Sequence, residues 1–141
     1  MEQKLILYPL IAMVTLTFIV AITMFQRRVA AMKAKRLHPQ KVATSAQMAA
    51  LMEDSRASDN FRNLFETPVL FYVAMITIYA TGSICMPHLA LAWAYVLARC
   101  IHSYLQCTAN VVMRRFYAFL ASVVFLLCTW LMLGYQLIFL T

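Results

Sequence analysis

Asn60-Phe61-Arg62-Asn63-Leu64-Phe65-Glu66-Thr67-Pro68-Val69-Leu70-Phe71-Tyr72 is the stretch that decides how this chain folds. Glu66 stands where its polar half gives way to an apolar run. A carboxylate entering a bilayer is costly unless it is paired or lines a wet cavity. Ser58 is read as the N-cap of a helix through this stretch, with Asp59 favourable in the first turn. Pro68 then falls inside that helix. It cannot donate to the carbonyl of Leu64, so a kink is expected, with a freed carbonyl beside Glu66. Asn63 and Glu66, three residues apart, share a face that continues through Leu70 and Thr77.

The flanking sequence makes this a membrane protein. Hydrophobic residues are 64% of the 141-residue chain and charged residues 12%, against about half and a quarter in soluble domains. The length holds one domain, residues 1–141. Four apolar segments, about 5–26, 64–86, 89–112 and 116–140, are each long enough to cross a hydrocarbon core of about 30 Å. The fold class is all-α, an integral membrane four-helix bundle. The first segment is too long for a signal peptide and is followed by Gln26-Arg27-Arg28, so it is read as a retained helix. Pro87-His88 marks the turn between the second and third spans, and the next gap carries Arg114 and Arg115.

The net charge of +7 does not point to nucleic acid. Eight of the twelve Lys and Arg lie between Arg27 and Arg62, chiefly in the polar connector 27–59. That is the signature of a juxtamembrane loop facing anionic lipid headgroups, and no aromatic-basic platform accompanies it. The loops after the first and third spans are basic, so the positive-inside rule puts both in the cytoplasm and both termini outside. Within the connector, Thr44 and Gln47 have capping-box spacing ahead of Met48, Leu51 and Met52, which predicts a short surface helix. Cys85, Cys100, Cys107 and Cys128 form no CxxC, and no second His or Cys shares the face of His102 at ligand spacing, so no metal site is expected.

The third span carries a polar stripe. Tyr95, Arg99, His102, Gln106 and Asn110 recur at spacings of four, three, four and four, with Ser103 at the edge. Val96, Leu97, Cys100, Ile101 and Leu105 occupy the other face. Lipid cannot satisfy such a stripe, so it faces protein or a cleft. These groups either glue helices, at about 0.6 kcal/mol per hydrogen bond, or bind a ligand. An Arg99–Glu66 pair is a poor stabiliser compared with apolar packing. Depth sets Arg114 and Arg115 as rival partners for Glu66. Arg27 and Arg28 read simply as headgroup anchors.

Short-looped spans, a basic first connector, Asn63-Leu64-Phe65-Glu66 at the entry to the second span and Arg114-Arg115-Phe116 at the exit of the third resemble the MAPEG family. These are the membrane-associated proteins in eicosanoid and glutathione metabolism. The stretch opening this section and Arg99-Cys100-Ile101-His102-Ser103 resemble its bacterial branch. The resemblance implies a homotrimer in a bacterial inner membrane, with a glutathione site between subunits near the cytoplasmic side. By motif position it makes Asn63 and Glu66 glutathione contacts, and it matches Arg99 to a third-span arginine. Arg27 or Arg28 takes the place of the thiolate-stabilising arginine. Arg62, His102, Gln106, Asn110 and Arg114 complete the candidate ligand-binding set. Where the glutathione-using enzymes carry an arginine seven residues before the glutamate, this chain has Asp59, and His102 and Gln106 stand where the eukaryotic synthases have tyrosines.

Two readings follow. The first is a glutathione-dependent transferase or peroxidase joining a soluble thiol to a lipophilic electrophile or lipid peroxide. Arginines would hold the peptide's carboxylates, Glu66 its ammonium, and a nearby arginine its thiolate. The second is a non-enzymatic protein of the same fold that binds lipid or a partner. A transporter ranks below both, since the chain shows no inverted repeat.

Overall fold

The computed structural model describes residues 2–139. Among them the secondary structure is entirely helical: α1 (Leu7–Ala34), α2 (Ser45–Leu51), α3 (Arg56–Asn63), α4 (Thr67–Thr81), α5 (Met86–Cys107) and α6 (Val112–Phe139), with 3₁₀ turns at Gln3–Ile6 and Pro39–Val42. The predicted end of the fourth span, residue 140, lies outside the described residues.

Three helical segments are long and apolar enough to cross a membrane: Gln3–Ala34, Arg56–Thr81 and Val112–Phe139. The chain is therefore an integral membrane protein. The Met86–Cys107 helix is not in that set, because Arg99, His102, Ser103 and Gln106 interrupt its apolar run. At 28 residues, α1 extends for about 42 Å. It outruns the expected boundary because Ala30, Ala31, Met32 and Ala34 are strong helix formers. Arg27 and Arg28 therefore sit inside the helix rather than at its end.

The second predicted helix is broken, not merely kinked. Ser58 lies within α3, and the N-cap position falls to Ser55, whose side chain makes no capping hydrogen bond. Asp54 Oδ1 accepts from the Arg56 amide at 3.1 Å, and Ser55 Oγ donates to Asp59 Oδ2 at 2.7 Å. Glu66, with ψ −101°, separates α3 from α4. Pro68 falls in the first turn of α4, where its missing N–H costs no helical hydrogen bond. The break resets the rotational phase. The buried face of α4 is Phe71, Ala74, Met75 and Ile78, whereas Leu70, predicted to continue the Asn63 face, is exposed.

The remaining turns also move. Gly82, at φ +67°, closes α4 in the left-handed region that suits glycine. Pro87 belongs to the first turn of α5, and His88 is a buried residue of that helix rather than a turn marker. At the other end α5 stops at Cys107. Asn110 takes φ +48°, so it leaves the helical stripe on which it was placed, and α6 begins early enough to include Arg114 and Arg115. The capping box at Thr44 is present as expected: Thr44 Oγ1 accepts from the Gln47 amide at 3.2 Å, and Gln47 Oε1 from the Thr44 amide at 3.1 Å.

α5 packs along α6, and α1 leans on α3, α4 and α5. Met13, Val20, Phe71, Met75, Ile78, Tyr95, Leu126 and Leu133 fill the centre. Phe18, Ile22, Leu97, Leu131 and Ile138 point outward, as a lipid-facing surface requires.

Two carboxylates fasten the connector end, Glu53 through Lys35 Nζ at 3.2 Å and Asp54 through two arginines. Asp54 meets Arg56 Nε at 2.8 Å and Arg27 Nη1 at 3.6 Å. Arg27 Nη2 in turn donates to the Cys107 carbonyl at 2.8 Å and Arg56 Nη1 to the Thr108 carbonyl, so both arginines satisfy carbonyls at the C-terminus of α5. The hydrogen bond from Arg56 holds the Asp54 carboxyl below its ordinary 3.8, against a smaller upward push from burial. A lowered folded value means that this fastening is intact above the ordinary carboxylate range and is lost as pH falls through the lower folded value. A nitroxide at the exposed Ala50 is expected to gain mobility only as pH falls below the ordinary 3.8, and Asp54→Asn is expected to give that mobility at neutral pH. Unchanged electron paramagnetic resonance line shapes in both cases would show that Asp54 does not hold the connector.

Candidate functional site

The predicted site residues divide between two places. The first is a buried polar network where the α3–α4 break meets α5. Tyr95, Arg99, His102 and Gln106 all point inward, joined by Ser103. Asn63 Nδ2 donates to Gln106 Oε1 at 3.1 Å, and His102 Nε2 lies 2.8 Å from the same oxygen. His102 Nδ1 is 3.1 Å from the Arg115 carbonyl, so both ring nitrogens face oxygen acceptors and a neutral ring donates to only one of them. Asn60 is fully buried. Its Oδ1 accepts from Ser103 Oγ at 3.2 Å, and its Nδ2 donates to Cys107 Sγ at 3.3 Å. Sequence reasoning missed Asn60, although its spacing of three from Asn63 puts both amides on neighbouring turns of one face.

Arg99 is 0% exposed. Its Nη2 donates to the Asn63 carbonyl at 3.1 Å, while Nε and Nη1 have no partner. The guanidinium carbon lies 5.8 Å from the centre of the Phe119 ring, whose π face offers a further favourable contact. The break thus supplies a carbonyl to this cation, though it is that of Asn63 rather than the expected Leu64. Two donors remain open in a site closed to solvent, and an anion reaches them only through movement of the break or of α6.

Glu66 does not share the inward face of Asn63. The break turns it outward, where it is exposed and its side chain makes no hydrogen bond or ion pair among the described residues. It is paired with neither Arg99 nor Arg114 nor Arg115. Arg114 is exposed as well, and Arg115 Nη1 donates to Asn110 Oδ1 at 2.8 Å. Glu66, Arg114 and Asn110 are thus absent from the buried network.

The second place is a cleft of about 270 Å³ between the connector and α3, lined by Arg28, Ser58, Asp59 and Arg62 on one side and by Val42, Met48 and Met52 on the other. Arg28 Nη2 donates to Ser58 Oγ at 3.1 Å, and its buried Nε has no partner. Arg62 is exposed and unpaired among the described residues. A smaller cavity of about 190 Å³ adjoins it, with Arg27, Arg28 and Asp54 in its wall. The adjacent arginines differ in what they reach: Arg27 donates to the α5 terminus through Nη2 and lies in an ion pair with Asp54 through Nη1, which makes no hydrogen bond, whereas Arg28 lines the larger cleft with its Nε free. No cluster of His, Cys, Asp or Glu able to hold a metal occurs among the described residues.

Gln106 is the shared acceptor of the buried network. Gln106→Leu removes the partner of the Asn63 amide and of His102 Nε2, while Nδ1 keeps the Arg115 carbonyl, at about 1–3 kcal/mol for each orphaned group. A clear drop in melting temperature in micelles is expected, and Asn63→Leu on top of it should add less than it does alone. Strict additivity would show that the two amides are not coupled.

The model for the MAPEG family matches residues 6–135. No curated protein and no solved structure matches the chain significantly. The family match takes in α1 through most of α6, with the buried amide network and the arginine-lined cleft inside it, and on that coverage this chain belongs to the MAPEG family.

Proposed function

We propose that this protein is a glutathione-dependent transferase or peroxidase for lipophilic electrophiles or lipid peroxides. The observation that carries the reading is the cleft between the connector and α3. It places Arg28 and Arg62, both with unused donors, on one side and an apolar wall of Val42, Met48 and Met52 on the other. Glutathione has two carboxylates and one ammonium. Arg28 and Arg62 suit the carboxylates, and Asp59, which also lines the cleft, suits the ammonium in place of the outward-turned Glu66.

With the thiol next to Arg28, its thiolate is favoured and becomes the nucleophile. In a transfer the sulfur bonds to an electrophilic carbon and the leaving group departs with its electron pair. In peroxide reduction the sulfur takes one peroxide oxygen, the O–O bond breaks and the alcohol leaves protonated. The apolar wall receives the lipophilic partner.

The family match supports a homotrimer in which α5 crosses as the fourth span, with its polar stripe turned inward. Exposed Glu66 and Arg114 then lie at subunit boundaries, where a neighbour's cleft can use them. The cationic connector and Arg114-Arg115 support a cytoplasmic face for that end of the bundle, in a bacterial inner membrane, and both termini outside. A second reading, a lipid- or partner-binding protein without turnover, is favoured by Asp59, whose carboxylate sets a negative charge inside the cleft.

Calorimetry of purified protein is expected to detect glutathione binding at millimolar concentration, weakened about tenfold or more by Arg28→Ala or Arg62→Ala, the loss of a charge-assisted pair. Glutathione-dependent turnover of an electrophilic dye separates the enzyme from the second reading. Absence of binding at millimolar glutathione overturns the proposal.

A further inference from the structure

The smaller cavity, of about 190 Å³, lies where α1 passes α3. Met24, Arg27, Arg28 and Ala31 follow the i, i+3, i+4, i+7 spacing of one helix face, and all four line it. Ala57 and Ser58 of α3 line the other side, with Met52 and Asp54 of the connector. Room is left there because Ala31, Ala57 and Ser58 are small where the two helices meet. The wall is short of hydrogen-bond acceptors. Arg27 Nη2 is engaged by the Cys107 carbonyl and Arg28 Nη2 by Ser58 Oγ. Arg27 Nη1 and Arg28 Nε are shielded from solvent and have no hydrogen-bond partner among the described residues. Asp54 stands 3.6 Å from Arg27 Nη1, but both its oxygens already accept from Arg56, at 2.8 and 3.0 Å. Orphaned buried donors are rare, and two of them in one cavity wall point to an absent acceptor.

We infer that this cavity is a binding site for a monoanionic phosphate group. Two guanidinium charges in the wall stand against one carboxylate, so a single negative charge balances it. Water satisfies an N–H but leaves that charge uncompensated. The N–H groups of arginine match the oxygens of a phosphate, and Ser58 Oγ, which accepts from Arg28, keeps its own hydrogen to donate. The volume exceeds what a halide fills and suits a tetrahedral oxyanion with some of its water. The apolar part of the wall, Met24, Ala31, Met52 and Ala57, disfavours an ion of higher charge. The phosphodiester of a lipid headgroup and free dihydrogen phosphate share this chemistry. The cavity stands at the level of Phe25, the last large apolar side chain exposed on α1, where the hydrocarbon region gives way to headgroups. The site shares Arg28 with the cleft assigned to glutathione but does not depend on that reading, since Met24, Arg27, Ala31 and Ala57 line the small cavity alone.

The test is phosphorus NMR of the full chain, delipidated in phosphorus-free maltoside micelles and without glutathione. Inorganic phosphate, at mildly acidic pH where the monoanion prevails, and a short-chain phosphatidylglycerol are titrated separately. Saturable line broadening at millimolar concentration, beyond that of empty micelles, is expected from at least one of them. The compound that saturates at the lower concentration identifies the source. Equimolar chloride is expected not to displace it from the wild-type protein. Arg27→Gln is expected to weaken binding about tenfold, the loss of a charge-assisted hydrogen bond. Ala31→Leu keeps every arginine, fills the small cavity and leaves the larger cleft untouched, and it is expected to abolish the broadening. No saturable broadening from either compound, displacement by equimolar chloride, or an affinity unchanged in both variants overturns the assignment.

Discussion

The contact on which the rest depends is the hydrogen bond from the Arg99 guanidinium to the carbonyl of Asn63. A buried cation with no carboxylate in ion-pair contact is unfavourable in an apolar bundle. A main-chain carbonyl released from helical bonding offsets part of that cost, and the three-residue interruption between α3 and α4 supplies one. The interruption therefore has two consequences. It gives α5 a place to bury its arginine, and it turns α3 so that Asn60 and Asn63 meet Ser103 and Gln106 while Ser58 and Arg62 face the connector. A continuous helix through Pro68 would leave the Asn63 carbonyl less free for Arg99 and carry Leu70 to the inner face.

The two polar regions divide the work of the connector end. The buried amides fix the relative rotation of α3 and α5, and they are satisfied largely by one another. The cleft beyond α3 keeps cationic groups whose hydrogen-bonding capacity the fold leaves unused. Unused donors on Arg28 and Arg62 mark a binding surface better than the network does, because they line an open cleft whereas the open donors of Arg99 are sealed from solvent. The glutathione reading therefore rests on the cleft, while Asn63, His102 and Gln106 set its geometry from behind.

Much of the helical plan was legible in the chain. Apolar runs of spanning length, the inward stripe from Tyr95 through Gln106 and the Thr44 capping box all follow from periodicity and local hydrogen-bonding chemistry. The Asn63–Glu66 face was misread because spacing arguments assume a continuous helix, and three residues out of helical phase are enough to send Glu66 outward. Asn110 was placed on a helix that ends before it, since asparagine tolerates the left-handed conformation that terminates α5. The difference between Arg27 and Arg28 was not readable. It depends on Asp54 and the end of α5, brought together only by tertiary packing. Pro87 and Pro68 each looked like a turn or a kink and turned out to begin a helix, the position at which proline is least disruptive.

α2 contributes no buried residue, and its principal neighbour is the 3₁₀ turn that precedes it. The wall of the cleft formed by Met48 and Met52 is therefore held without core packing, by its own cap, by the tie at Asp54 and by Lys35, whose Nζ donates to the Leu51 carbonyl at 2.9 Å and meets Glu53 at 3.2 Å. Were the wall to move away from α3, a ligand touching Met48 and Met52 would bind only the molecules that keep it in place, and its measured affinity would fall by that fraction. By the same linkage, occupancy orders the wall. Ligand binding and local folding of the connector are then two readings of one equilibrium, in which changes in the connector sequence alter affinity without touching the ligand.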